Sequence, residues 1–392
     1  MSSDSESQKK QTISVSRKFS LRELGGAFGD WGTLIPFVIG YISIVGLNPF
    51  GIFLGLGLTN IILGLRFDLP LPVQPQKTIG TVAISRSWTP NLVISTGFFT
   101  GIAWSILGFS KKLGTIVKKV PTILVRGIQL GLAFILGWTA IQFFWENLFL
   151  GFISIGIILL LRKNKRIPSA IILVFIGLII LFITDQSVLQ SLEFSLPKFQ
   201  LYFPSLENML IGILVAGIGQ LLLTLTNVMI ATISLLKDLF PERELSINAN
   251  NLASNMGGMN LLIPFIGGMP LCHGSGGIAA QYAFGARNGG SMIMEGIIEI
   301  FLGLFLSDML FSIFNSFPKA ILGGMLIYTS FLLGKVVYDD FSKRKFPIIL
   351  LCAIICFLVN IFVGFLVGLI LFLIFKRYIL SDSNNSDPKN ED

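Results

Sequence analysis

The chain reads as an all-α polytopic membrane protein: about fourteen transmembrane segments in a seven-plus-seven inverted repeat, with a broken half-helix in each half. Three observations predict this. Hydrophobic residues make up 53% of the 392 and charged residues only 13%, with a mean hydropathy of +0.79. No soluble domain needs that much apolar surface. Two short apolar segments, 69–84 and 267–285, are each interrupted by proline and glycine, and they stand at matching places in the two halves. Finally, the lysines and arginines behind the net charge of +8 gather in short loops, a positive-inside pattern rather than a nucleic-acid-binding stripe.

In order along the chain, residues 1–20 form a polar tail without the apolar core of a signal peptide, read as a disordered cytosolic segment. The first repeat, 21–184, holds candidate spans at 24–45, 50–66, 70–86, 91–109, 121–143, 145–161 and 168–184. A connection at 185–206 leads to the second repeat, 207–376, with spans at 207–236, 246–265, 270–286, 290–312, 317–335, 347–360 and 361–376. The stretches 121–161 and 347–376 each admit more than one division. Residues 377–392 form a second disordered cytosolic tail. An odd number of spans per half makes the second half insert upside down relative to the first. Loop charge agrees: with the N-terminus inside, Lys111–Lys119, Arg162–Arg166, Lys335–Lys345 and Lys376–Arg377 all fall on the cytosolic side. The connection, with Asp185 and Glu193 against Lys198, falls outside. The plasma or inner membrane is the default location. GGAFGDWGTLIP (25–36) and VAGIGQLLLTLT (215–226) open the two repeats with similar glycine spacing.

The broken segments carry the chemistry. Interrupted spans in corresponding repeats mark a transporter's substrate site, and a helix that begins in mid-membrane aims free N–H groups at an anion. In the first, Pro72 and Pro75 bracket Val73 and Gln74, so a helix is expected to begin near Pro75 with Gln76, Lys77, Thr78 and Ile79 in its first turn. Those amides, the Thr78 hydroxyl and the Gln74 amide are all donors for an oxyanion. The competing reading is an interfacial loop with Lys77 snorkelling. In the second, Gly274, Gly276 and Gly277 surround Ser275 and let a tetrahedral anion approach the backbone. His273, the one histidine, sits at this helix start, where it donates to the substrate, carries a coupling proton, or is a structural group.

Asp30 lies inside the first span, where a carboxylate costs roughly 2.5–3.5 kcal/mol to insert. It reads as a proton site, as a support for the first broken helix, or as an ion-pair partner of Arg126 or Lys77. Glu295 and Glu299 lie one turn apart on one face, with Glu295 placed near the cytosolic end, and are weaker candidates. Gln220, Thr224 and Asn227 follow helical spacing and either line the cavity or form a packing stripe. The three cysteines, Cys272, Cys352 and Cys356, fall in apolar segments and point to packing, and no ligand set for a metal is seen. No cofactor is expected.

FGDWGTLIPF (28–37), LPVQPQKTIGTVAI (71–84) and PLCHGSGGIAAQYAFGARNGG (270–290) resemble signature segments of molybdate transporters in the sulfate permease superfamily. The resemblance runs from Leu21 to Lys376. It implies a core and a gate domain, alternating access, and uptake of molybdate or a related tetrahedral oxyanion. It also implies a substrate site at Gln74, Lys77, Thr78, His273, Gly274 and Ser275, with Asp30 as support. Bottom-up, Gly276 joins the site, with Gln220 and Asn227 beside it. Gln76 stands where the family pattern has methionine, a change expected to tune packing more than chemistry. The expected partners are the oxyanion and membrane lipid, with no nucleic acid; a homodimer is allowed. Moving a dianion inward against about 100 mV costs about 4.6 kcal/mol, so accumulation needs co-transported cations, with protons expected, or exchange. The alternatives are a sulfate permease, a nucleobase permease with carboxylates facing its cavity, and an anion channel. An intramembrane enzyme finds no support, since no Ser–Asp constellation accompanies the histidine.

Overall fold

Apolar runs that meet lipid must satisfy their backbone internally, and helices account for most of the described residues. The computed structural model describes residues 17–110, 112–164, 168–186, 188, 196–197, 199–241, 243, 247–339 and 342–380. Most of the two tails and part of the 185–206 connection lie outside the described residues, as do Lys111, Lys165 and Arg166 of the basic loops.

The first span runs from Leu21 to Val45 through α1 (Leu21–Ala27), a 3-10 turn (Phe28–Asp30), α2 (Trp31–Gly40) and a π-turn (Tyr41–Val45). Ser20 caps it by accepting from the Glu23 amide, and Gly46, at φ 78°, ends it. Then come α3 (Pro49–Phe67), β1 (Val73–Pro75), α4 (Lys77–Ser85), α5 (Pro90–Phe109), α6 (Leu113–Lys119), α7 (Thr122–Trp145), α8 (Leu148–Leu161) and α9 (Ser169–Thr184). The second half opens with α10 (Leu206–Gly212), α11 (Ile218–Thr224) and α12 (Ala231–Leu239), joined through π-turns. It continues with α13 (Ala249–Leu262), β2 (Leu271–His273), α14 (Ser275–Phe284), α15 (Gly290–Phe305), α16 (Ser307–Asn315), α17 (Lys319–Asp339), α18 (Phe346–Leu358) and α19 (Ile361–Leu380).

Helix occupies every predicted span, with three differences. The chain is not wholly α: β1 and β2 form a two-stranded antiparallel sheet. Pro75 holds Gln74 extended, and so two segments that cannot be helical pair with each other. The 290–312 span is two helices bent by 85° at Leu306. A further short helix, α6, occupies the lysine-rich loop. By length and apolar composition, six helical runs among the described residues can cross a bilayer alone, or seven counting the bent pair. The expected fourteen include shorter apolar helices such as α8, α9 and α18.

The halves interlock. α3 packs along α15, α5 along α13, and α7 along both α17 and α18. At the α3–α15 crossing a Cβ on Gly57 would lie 2.5 Å from the Gly296 carbonyl oxygen, and one on Gly296 equally close to that of Gly57. Only glycine permits the approach. Large apolar side chains such as Phe149, Leu160, Ile183 and Phe375 face outward, as a lipid-facing surface requires.

Candidate functional site

The site is built where the two proline-broken segments meet. Val73 pairs with His273, Gln74 with Cys272 and Pro75 with Leu271. The Gln76 amide extends the contact by donating to the Pro270 carbonyl (2.9 Å). Each strand is anchored from behind by an asparagine. Asn60 of α3 accepts from the Val73 amide (3.3 Å). Asn260 of α13 both accepts from the Leu271 amide (2.8 Å) and donates to its carbonyl (2.6 Å). Because the strands are antiparallel, α4 and α14 leave the crossing in opposite senses, and their N-termini face one region.

Neither helix start has a side-chain cap: Gln76 precedes α4 and Gly274 precedes α14. The amides of Lys77, Ser275 and Gly276 have no protein acceptor among the described residues. Such a pair of uncapped starts is a ready anion site. Beside them lies a cavity of about 500 Å³, framed on this side by Gln74, Lys77, His273, Gly274, Ser275 and Gly276. Gln220 of α11 and Thr33 of α2 complete that wall, and Arg126 of α7 and Lys335 of α17 face it. No carboxylate is among its described lining residues.

Several polar atoms here wait for a partner. Gln74 donates to the Thr33 hydroxyl (2.8 Å) while its carbonyl oxygen is buried and unpaired. Both ring nitrogens of His273 are buried and make no hydrogen bond of good geometry, with the Pro72 backbone beside the ring. A Cβ on Gly274 or Gly277 would lie 2.9 Å from the Gln74 amide, so glycine at these two places makes room for that side chain. Gln220 accepts from the Thr78 amide (2.8 Å) and donates to Thr224 (2.8 Å), tying α11 to the start of α4.

A family model described as molybdate transporter of MFS superfamily matches residues 22–136 and 212–333. Molybdate transporter 2 of Arabidopsis thaliana is 33% identical, the match covering 92% of this chain and 89% of that protein. The chain belongs to the molybdate transporter family. Molybdate transporter 1 of Arabidopsis thaliana is 28% identical over 90% of this chain. The family is one of transporters, not enzymes. Among solved structures, SLC26A9 superposes with a TM-score of 0.68 at 13% identity, covering 91% of this chain and 65% of that one. The transmembrane domain of a cyanobacterium bicarbonate transporter, BicA, gives 0.61 at 15% identity, covering 89% of this chain and 97% of that domain. At such identities the likeness shows a shared fold, that of the SLC26 and sulfate permease group expected from the motifs.

Within this molybdate transporter fold, six of the seven substrate-site residues expected from sequence line one cavity. Thr78 does not: it is absent from the lining, and its hydroxyl is buried without a hydrogen bond. Gln220 is at the cavity, and the side chain of Asn227 lies outside the described residues. Asp30 sits behind the site and meets the Gln281 amide (3.3 Å), not Arg126 or Lys77 as the ion-pair reading had it. Arg126 instead donates to Gln129 (2.9 Å). Glu295, in the second turn of α15, is 1% exposed and accepts from Trp31 and Gln281. Gln76 acts through hydrogen bonds rather than packing alone, donating to Thr100 (2.9 Å) and to the Leu271 carbonyl (3.1 Å). Sequence reading missed Thr33 as a wall residue, although it lies inside the quoted FGDWGTLIPF motif. It also missed Arg126 as a cavity residue. The signal was present in a cation placed within an apolar span, which is costly unless it faces water or a partner.

Proposed function

We propose that this protein carries molybdate inward across its membrane by alternating access, as a secondary transporter coupled to protons. The carrying observation is the charge of the cavity: Lys77, Arg126 and Lys335 line it together with two uncapped helix starts, and no carboxylate does so. A tetrahedral dianion suits that arrangement, since each helix start contributes about 0.3–1 kcal/mol, up to ~2 when partly buried. Neutral donors from Gln74, His273 and Ser275 add orientation without holding the cargo too tightly to release. A nucleobase carrier needs acidic groups in the cavity for ring N–H atoms, and the lining lacks them.

The division into two repeats, 21–184 and 207–376, is supported by the pairing of α3 with α15 and of α13 with α5, which are exchanged partners if the halves are related by a two-fold axis. The antiparallel pairing of β1 with β2 fits the same axis. α7 and α17 then act as gate elements that face the strands and half-helices across the cavity. The positive loops favour a cytosolic position for both termini, in a plasma or inner membrane. A homodimer is compatible with this arrangement.

The test is molybdate uptake into proteoliposomes at low micromolar substrate, with excess sulfate and an imposed pH gradient. Saturable uptake that sulfate barely inhibits and an inward proton gradient accelerates is expected. Equal transport of sulfate makes this a general sulfate permease, and flux that never saturates makes it a channel.

A further inference from the structure

Behind the second half-helix lies a group of carboxylates with no cation among them. Asp30, Glu295 and Glu299 are 1%, 1% and 0% exposed. The Gln281 side-chain nitrogen lies within hydrogen-bond distance of three acceptors: the Ala27 carbonyl (3.2 Å), Asp30 Oδ1 (3.3 Å) and Glu295 Oε2 (2.7 Å). That nitrogen has two hydrogens to share among them. Trp31 donates to Glu295 Oε1 (2.8 Å) and Asn60 donates to Glu299 Oε2 (2.8 Å). Asp30 Oδ2, Glu299 Oε1 and Gln281 Oε1 are buried and take part in no hydrogen bond of good geometry, although the Gln74 and Glu295 side chains lie beside the Asp30 carboxyl. Every unsatisfied atom is an acceptor, so what the group lacks is a donor.

Among the described residues, the surrounding elements supply no countercharge. On α1, Arg22 is exposed, and Glu23 accepts from the Arg287 and Asn288 amides. On α3, Arg66 bonds Asn255 at the exposed end, and Asp68 beyond it is held by Arg17 and Arg243. Tyr282 of α14 lies under the Arg287 guanidinium. On α12, Lys237 and Asp238 are exposed. On α4 and α17, Lys77 and Lys335 face the cavity, and Lys319 pairs with Glu146. Buried carboxylates without a cation take up a proton, and a protonated carboxyl is the donor that the neighbouring acceptors require. A metal ion fits less well: the Gln281 N–H already occupies the space between Asp30 and Glu295, and the described residues contain no metal-holding group of His, Cys, Asp or Glu.

We propose that Asp30 and Glu295 share the transported proton, and that it is coupled to the anion through Gln281 and α14 rather than by contact with the substrate. This rests on the transport reading above. Gln281 belongs to the helix whose first residues, Gly274 to Gly276, frame the cavity. Glu299 reaches the other half of the site through Asn60, which holds the Val73 amide of β1. A proton arriving at the pair converts a carboxylate to a carboxylic acid, turns an acceptor into a donor, and so changes what holds α14 from behind. Its release on the opposite side restores the carboxylate, and each proton carried inward cancels one of the two charges of the anion.

Counterflow and accumulation separate the roles. Molybdate exchange at equal pH needs no net proton movement, whereas uptake driven by an inward pH gradient does. The wild type is expected to do both, with an internal pH dye reporting acidification as molybdate enters. Glu295→Gln and Asp30→Asn are each expected to keep counterflow, with KM within about twofold, and to lose about tenfold or more of gradient-driven accumulation together with the dye signal. Variants that accumulate as the wild type does overturn the proposal. So does parallel loss of counterflow and accumulation, which marks a merely structural role, and so does accumulation driven by sodium in place of protons. If Glu295→Gln does not yield folded protein, Asp30→Asn carries the comparison, and a wild type that moves molybdate without acidifying the lumen overturns the proposal alone. Absence of any wild-type counterflow, by contrast, sinks the transport reading itself.

Discussion

Gly277 shows how little room the anion-facing wall leaves. A Cβ there would lie 2.9 Å from the Gln74 amide nitrogen and 3.0 Å from the Pro72 ring, and Pro72 cannot yield without moving β1. Gly277→Ala is therefore expected to displace Gln74 and raise the molybdate KM about tenfold, a loss of about 1.4 kcal/mol. Gly258, on α13, has nothing within 4 Å of its would-be Cβ, so Gly258→Ala should transport like the wild type in the same uptake assay. Lys77 is a different test, because it contributes charge rather than shape. No carboxylate among the described residues pairs with it, and it lines the cavity beside the start of α4. Lys77→Gln removes a charge-assisted contact of about 1.5–3 kcal/mol, so molybdate binding by titration calorimetry should weaken about tenfold to a hundredfold. Unchanged affinity would return Lys77 to the snorkelling role. Both residues were legible in sequence, since proline and glycine announce where a helix cannot run and a lysine within an apolar segment needs a reason. Thr78 was not: helical phase placed it in the first turn but did not report that it is buried outside the cavity lining.

At the scale of elements, the two strands owe their place to asparagines rather than to their own pairing. Three residues per strand make a ladder too short to stand alone. Asn260 satisfies both backbone groups of Leu271, and Asn60 satisfies Val73. Asn260→Leu strands the buried Leu271 N–H, worth about 1–3 kcal/mol, and leaves the Leu271 carbonyl to Gln76 alone. Thermal unfolding of the purified protein should shift down by several degrees, and the stabilisation conferred by molybdate should shrink with it. A variant with the wild-type melting temperature and full molybdate stabilisation would show that the ladder suffices. This element explains what sequence reading reached and what it missed. The breaks at Pro72, Pro75 and Pro270 are local and visible. The β1–β2 pairing joins residues far apart in the chain and leaves no periodicity, so an all-α reading was natural. The bend at Leu306 is silent for a similar reason: apolar residues continue through it. What marks it is the Ser307 hydroxyl reaching Asn48 at the cap of α3, a tertiary contact (3.1 Å).

For the molecule as a whole, the question is which way the cavity opens. Two further cavities adjoin it, one sharing Thr33, Thr329 and Leu332 with it, the other sharing Leu332 and Lys335. Both are also lined by Arg162, which belongs to the loops that the positive-inside rule assigns to the cytosol. A basic passage of this kind raises the local concentration of an anion and gives it a route away from the half-helices. On the proposed topology the arrangement is that of a carrier open toward the cytosol. Leu332, common to all three cavities, is the place to ask. The native cysteines are at most 5% exposed, so Leu332→Cys can be read against a quiet background. A membrane-impermeant thiol reagent should modify it in inside-out vesicles and leave it untouched in right-side-out ones. Molybdate should slow the reaction, because a bound anion occupies the shared space and biases the gate helices α7 and α17 toward the strands. Labelling from the outer face alone would invert the assigned topology. Equal labelling from both faces, unaffected by molybdate, would mean a continuous pore, and with it a channel instead of a carrier.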